Sequence, residues 1–75
     1  MMPPDDQLLD VSRRVETILA KIPYAADRAE VSDLELRATE DISGLHSALA
    51  RGRLQERVDD AVSARLQELE IEEFF

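Results

Sequence analysis

The chain has 75 residues, of which 17 are acidic and nine are basic, and its formal net charge is −8. That length allows one domain with a small core. The absence of cysteine excludes disulfide scaffolds and cysteine-based zinc sites. The excess of negative charge repels phosphate backbones and anionic lipid surfaces. We therefore expect neither direct nucleic-acid binding nor membrane binding.

The sequence also predicts the cellular compartment and the origin of the protein. No apolar run reaches the roughly 18 residues that a membrane span needs. The start, Met-Met-Pro-Pro-Asp-Asp, lacks the basic and apolar regions of a signal peptide, so a cytoplasmic protein is the expectation. Eight arginines against one lysine, with no asparagine, are typical of a GC-rich bacterial genome.

The first predicted helix follows the Pro-Pro pair near the start. Asp5 and Asp6 suit a helix N-terminus because their carboxylates face unpaired N–H groups and the positive end of the dipole. Apolar residues then recur in steps of three and four up to Ile22, which is the period of an amphipathic helix. Pro23 cannot continue that helix. The prediction is a helix over residues 5–22.

The second predicted helix begins at one of two overlapping capping signals. Asp27 with Glu30, and Ser32 with Glu35, each have the spacing of a capping box. The second pair opens directly onto a rhythm of apolar residues, so the helix is predicted over 32–50. Its apolar face is predicted to comprise Val31, Leu34, Ala38, Ile42, Leu45 and Leu49.

A third apolar rhythm starts at Leu54 and predicts a helix over 53–70. At about 100° per residue its stripe is rotated by roughly 150° from the second stripe. One continuous helix would therefore carry apolar residues on nearly opposite sides. A break near Gly52, with that glycine as a left-handed C-terminal cap, removes the conflict. The alternative is a long helix with two separate contact faces.

These elements predict an all-α fold, either a three-helix bundle or a helical hairpin with an appended helix, in a single domain over residues 1–75. A core from so short a chain is marginal, and oligomerisation is a common remedy. We therefore expect a homodimer, or assembly with another protein, through the stripes of the first and third helices. The residues predicted for self-association are Leu8, Val11, Val15, Ile18, Ile22, Leu54, Val58, Val62 and Leu66.

No arrangement of residues in the sequence predicts catalysis. His46 is the single histidine, and position 43, three residues before it, is serine where a helical di-metal site needs glutamate. Adjacent acids such as Asp59 and Asp60 point about 100° apart on a helix and do not face one another. The sequence contains no Gly-rich phosphate loop and no nucleophile elbow. We expect a non-enzyme with no catalytic residue, metal site or cofactor.

Residues 71–75 are predicted to form a tail. Glutamates crowd the end of the third helix, where they oppose the dipole and should fray the last turn. One interpretation of the two phenylalanines that follow is that they fold back over the end of the bundle. The other is a docking segment for a basic, apolar groove on a partner, formed by Glu70, Glu72, Glu73, Phe74 and Phe75.

The sequence therefore favours a non-catalytic interaction protein, such as an adaptor, an assembly factor or a small regulatory subunit. It would bind a protein partner, or a second copy, through helix faces and through the acidic–aromatic tail. The alternative is an acidic inhibitor or antitoxin-like protein that occupies the basic site of a nucleic-acid-binding protein or toxin. Arginines interrupt the acids along the whole chain, which favours the first hypothesis.

Overall fold

A computed structural model describes the backbone of residues 4–74 and the side chains of residues 7–72. Within that part of the chain the α-helices are α1 over Pro4–Lys21, α2 over Arg28–Ser43 and α3 over Ala48–Phe74, and a short 3₁₀ helix follows α1. The three helices pack against one another, and the described residues form no strand. The predicted all-α class and small bundle are confirmed.

α1 forms where it is predicted, within one residue at either end. Its stripe faces the core through Val11 and Val15, which are buried. Pro23 stands in the 3₁₀ helix, where its missing N–H breaks no α-helical hydrogen bond. The backbone N–H of Ala25 then closes this turn by donating to the carbonyl of Ile22 at 3.1 Å. The chain thus leaves α1 through a tight turn that buries Ile22 and Ala25 and leaves Tyr24 exposed.

α2 begins four residues earlier than predicted because the first of the two capping signals operates. The Asp27 carboxylate accepts a hydrogen bond from the backbone N–H of Glu30 at 2.8 Å. The Glu30 carboxylate in turn accepts one from the N–H of Ala26 at 2.8 Å. These bonds satisfy backbone donors that a helix start leaves open. The predicted start at Ser32 is therefore wrong.

The break between α2 and α3 lies at residues 44–47 rather than at Gly52, which corrects the predicted ends of both helices. No glycine among the described residues has a positive φ, and Gly44 ends α2 with a φ of −77°. The chain turns around Leu45, which is buried. Ser47 then starts α3, because its hydroxyl accepts a backbone N–H from three residues further on at 3.2 Å. This turn accommodates the difference in phase between the two apolar stripes.

Gly52 lies inside α3, and nothing lies within 4 Å of a Cβ built on it. We therefore expect Gly52→Ala to raise the free energy of unfolding by about 1 kcal/mol, because alanine loses less backbone entropy than glycine in a helix. Thermal unfolding followed by circular dichroism measures the change. A lower melting temperature would mean that the chain needs glycine here, as a left-handed cap would.

The core is an elongated apolar cluster to which all three helices contribute, in a molecule of 53 × 17 × 14 Å. None of the described polar side chains is buried, so burial of aliphatic surface is the main stabilising term. The buried residues are Val11, Val15, Ile22, Ala25, Val31, Leu34, Ala38, Ile42, Leu45, Leu54, Val58, Val62 and Leu69.

Arg65 ties α3 to the connection between α1 and α2. Its side chain is only 12% exposed, and its Nε and Nη2 atoms donate to the carbonyl of Ala25 at 3.0 and 2.7 Å. Its Nη1 atom donates to the carboxylate of Glu68 at 2.9 Å and lies 3.9 Å from the carboxylate of Glu72. Hydrogen bonds from a charged donor are stronger than neutral ones. Arg65 therefore fixes the connection against α3.

α3 continues through most of the segment that is predicted to be a tail, since its backbone is helical as far as Phe74. Leu69 is buried in the core and anchors this end of the helix. Arg65 lies near both Glu68 and Glu72, which offsets part of their repulsion with the negative end of the dipole. The described backbone is therefore helical beyond residue 70, which corrects the predicted end of the third helix.

Candidate protein-binding groove

The starts of α1 and α3 lie side by side at one end of the bundle. The side-chain amide of Gln7 in α1 donates to the carbonyl of Gly44, just before α3, at 3.0 Å. About two turns further along both helices, Glu16 in α1 lies 3.6 Å from Arg57 in α3. The two helices therefore run in the same direction away from this end.

An open groove of about 310 Å³ lies between these two helix starts. Its floor contains Leu54, which is buried in the core, while Leu8 on α1 and Leu49 on α3 are 39% and 67% exposed. Large aliphatic side chains therefore face each other across a gap that no part of the described chain fills. The lining residues are Leu8, Ser12, Ser47, Leu49, Ala50, Arg53 and Leu54.

The α3 wall of the groove is held by hydrogen bonds around the preceding turn. The Ser47 hydroxyl accepts the N–H of Ala50 at 3.2 Å, and the Ser47 carbonyl accepts the N–H of Arg51 at 3.0 Å. The guanidinium of Arg51 also reaches back to donate to the carbonyl of Leu45 at 2.7 Å. Leu49 stands between these fixed points, so the groove needs little ordering before it binds a partner.

The charge around the groove differs from that of the whole chain. The first ten residues of α3 hold three arginines and one glutamate, whereas its last ten residues hold four glutamates and one arginine. Arg53 lines the groove itself. Among the residues that line the groove, Arg53 is the charged one, so a mostly apolar partner segment with an acidic residue near Arg53 is favoured.

Most of the residues predicted for self-association pack against the other helices of the same chain. Self-association through them stays a prediction. Ile18 and Leu66 are partly buried against that core, and Leu8 is the member that lines the groove. The six buried residues are Val11, Val15, Ile22, Leu54, Val58 and Val62.

The predicted docking segment is described only in part. Glu70 and Glu72 are exposed on the last turns of α3, and Glu72 lies near Arg65. The side chains of Glu73 and Phe74, and the whole of Phe75, lie outside the described residues. Neither interpretation of this segment is tested, and both stay predictions.

Leu49 is the groove residue that the sequence reading misplaces. The sequence pattern assigns Leu49 to the buried face of the second helix, whereas the structure places it, exposed, in the first turn of α3. The break at residues 44–47 causes this difference, because it gives Leu49 a new helix axis. Ser47 carries the signal that could have revealed the break, since serine is a favoured N-cap. A start at Ser47 places Leu49 in the same helix as Gly52.

Several other properties of the described residues concern function. His46 is exposed in the turn before α3. Residues 7–72 bring together no cluster of three or more histidine and acidic side chains suited to a metal ion. In the same part of the chain, no helix combines the length and the apolar character required to cross a bilayer.

Comparison of the chain with protein-family models, curated proteins and solved structures found no significant match.

Proposed function

We propose that this chain is a non-catalytic interaction protein that binds an amphipathic helix of another protein in the groove between the starts of α1 and α3. The observation that supports the proposal best is the pair of exposed leucines, Leu8 and Leu49, that share this groove. Single exposed leucines are ordinary. Two that meet across a preformed groove are typical of a surface that binds an apolar partner.

The chemistry of the groove specifies the kind of helix that fits it. Apolar side chains at helical spacing would lie between Leu8 and Leu49, above Leu54. An acidic residue on the flank of that helix would lie near Arg53. This is the helix-in-groove mode of recognition, in which apolar anchors supply affinity and charges at the rim set orientation and encounter rate.

The alternative of an acidic inhibitor has less support from the surface of the bundle. Asp10 pairs with Arg14 and Asp33 pairs with Arg37, each at 3.2 Å. Such pairs divide the negative surface into small patches, whereas a mimic of nucleic acid needs a continuous row of unpaired acids. A bacterial origin and a cytoplasmic location stay predictions from the sequence.

Two leucine substitutions test the proposed groove. Leu49→Arg places a long cation in the groove, and Leu36→Arg makes the same change at a leucine of α2 that is 59% exposed and lies outside it. A partner captured from a lysate of the source organism would be purified and titrated against both variants by calorimetry. We expect Leu49→Arg to weaken binding by at least about tenfold, as loss of an interface anchor does, and Leu36→Arg to change it by less than about twofold.

Both variants are expected to keep the melting temperature of the parent chain, because neither leucine belongs to the core. Equal binding by all three proteins would contradict the proposed groove. A loss confined to Leu36→Arg would instead place the binding surface on α2.

A further inference from the structure

The last turn of α3 continues beyond the core that holds the rest of the helix. Leu69 is the last described residue of α3 in the buried cluster, and Glu70, Ile71 and Glu72 after it are exposed. Ile71 is a large aliphatic side chain, and 57% of its surface is exposed. The end of α3 therefore presents an apolar residue between carboxylates, and the described part of the chain does not cover it.

The sequence of this end has the chemistry that the groove requires. Ile71, Phe74 and Phe75 recur at spacings of three and four, which is the spacing of side chains that share one helix face. Glu72 and Glu73 stand between them. A helical segment of this sequence offers apolar anchors to a groove walled by leucines and carboxylates to a cation beside it.

Arg53 is the cation of the groove, and within residues 7–72 its side chain has no hydrogen-bond or ion-pair partner. The neighbouring arginines of α3 differ in this respect. Arg51 donates to the carbonyl of Leu45, and Arg57 lies 3.6 Å from Glu16. A carboxylate that enters the groove can therefore pair with Arg53 without breaking any of the described contacts.

The groove and the acidic apolar segment lie at opposite ends of the molecule. α3 runs away from the groove, and at 1.5 Å per residue Ile71 lies about 33 Å along the helix from Leu49. The whole molecule is 53 Å long. The segment cannot reach the groove of its own chain, so a contact between the two joins separate copies.

We propose that the segment bound in the groove is residues 70–75 of a second copy of this chain, so that copies associate head to tail. The inference rests on the proposed function and identifies its occupant. The apolar side chains of the segment contact Leu8 and Leu49, and its glutamates lie near Arg53. The remainder of α3 keeps its polar face in water.

The arrangement is open rather than reciprocal. Two copies that exchanged both segments at once would lay their α3 helices side by side, and the exposed positions between Leu49 and Ile71 are mostly polar. One segment in one groove leaves a free groove at one end of the pair and a free segment at the other. Such heterologous contacts let an assembly grow beyond the dimer.

Sedimentation equilibrium up to about 1 mM tests the contact, at about 0.15 M salt to screen the repulsion between acidic copies. We expect the mean mass of the parent chain to rise with concentration past that of a dimer. Ile71→Ser and Leu49→Arg are each expected to weaken association by at least about tenfold, as loss of an anchor does. The control Gln67→Ser, at an exposed position of α3 outside the segment, is expected to change it by less than about twofold.

All three variants are expected to keep the melting temperature of the parent chain, because none of the three residues belongs to the core. Weaker association together with an unchanged melting temperature separates loss of the proposed contact from a general loss of structure.

Disulfide capture tests the head-to-tail direction, since the chain has no cysteine of its own. Ser12→Cys places a thiol in the groove, and Glu70→Cys places one on the exposed segment beside Ile71. In an equal mixture of the two variants under mild oxidation, we expect the mixed disulfide to exceed each of the two like disulfides by at least about tenfold. Random collision gives no such excess.

A parent chain that stays monomeric up to about 1 mM would overturn this inference. So would association that is unaffected by Leu49→Arg, an assembly that stops at the dimer, or a mixed disulfide without excess. If a different protein still binds with sensitivity to Leu49→Arg, the proposed groove stands and only the identity of its occupant is wrong.

Discussion

Replacing Val15 with glutamate is expected to unfold the chain. Val15 is fully buried in the cluster that all three helices share, and the described core offers no buried polar side chain to pair with a carboxylate. Burying an unpaired charge costs several kcal/mol. A domain of this size is stable by only about 5 kcal/mol. We expect far-ultraviolet circular dichroism to show the loss of most helical signal, with no cooperative thermal transition.

The matched control is Thr17→Glu, which introduces the same side chain two residues further along α1 at an exposed position. It should change the free energy of unfolding by less than about 0.5 kcal/mol. If Val15→Glu melted like this control, the packing of α1 against the other two helices would be wrong.

Replacing Arg65 with methionine is expected to lower the free energy of unfolding by about 2–4 kcal/mol. The substitution keeps an unbranched apolar stem but removes the hydrogen bonds that Arg65 donates to the carbonyl of Ala25. Ala25 is fully buried, so its carbonyl loses a charged donor in a place with little access to water. Urea denaturation at neutral pH measures this loss.

Arg57→Met is the control for this prediction, because Arg57 also joins two elements through an ion pair. Its partner Glu16 lies 3.6 Å away, and both side chains are more than half exposed. Exposed pairs of this kind contribute less than about 1 kcal/mol. Equal losses in the two variants would contradict the argument that Arg65 is the main polar link between α3 and the α1–α2 connection.

Local signals in the sequence predict the helices better than they predict the breaks between them. α1 is predicted within one residue because Pro23 ends its apolar rhythm unambiguously. The predicted break at Gly52 is wrong because one glycine inside a helix costs only about 1 kcal/mol. The packing of a long α3 against the other helices outweighs that cost. Ser47 starts α3 through its side chain, but a serine cap is a weaker signal in a sequence than a glycine.

The candidate site is harder to predict, for a different physical reason. Periodicity shows that the face carrying Val58 must be buried, but it does not show which surface covers it. A second copy is one answer, yet α1 and α2 of the same chain cover that face in the structure. Leu49 becomes visible as a groove residue only when the direction of α3 is known. The groove depends on tertiary geometry that no short pattern encodes.

Two-dimensional ¹H–¹⁵N nuclear magnetic resonance spectra of the labelled chain, titrated with the purified partner, test most directly whether this groove binds a partner helix. We expect the amide signals of Leu8, Leu49 and Leu54, which line the groove, to shift together as partner is added. Signals from Tyr24 and Leu36, which are exposed elsewhere, should stay constant. Spectra that do not change on addition of the partner, or changes confined to Tyr24 and Leu36, would contradict the account.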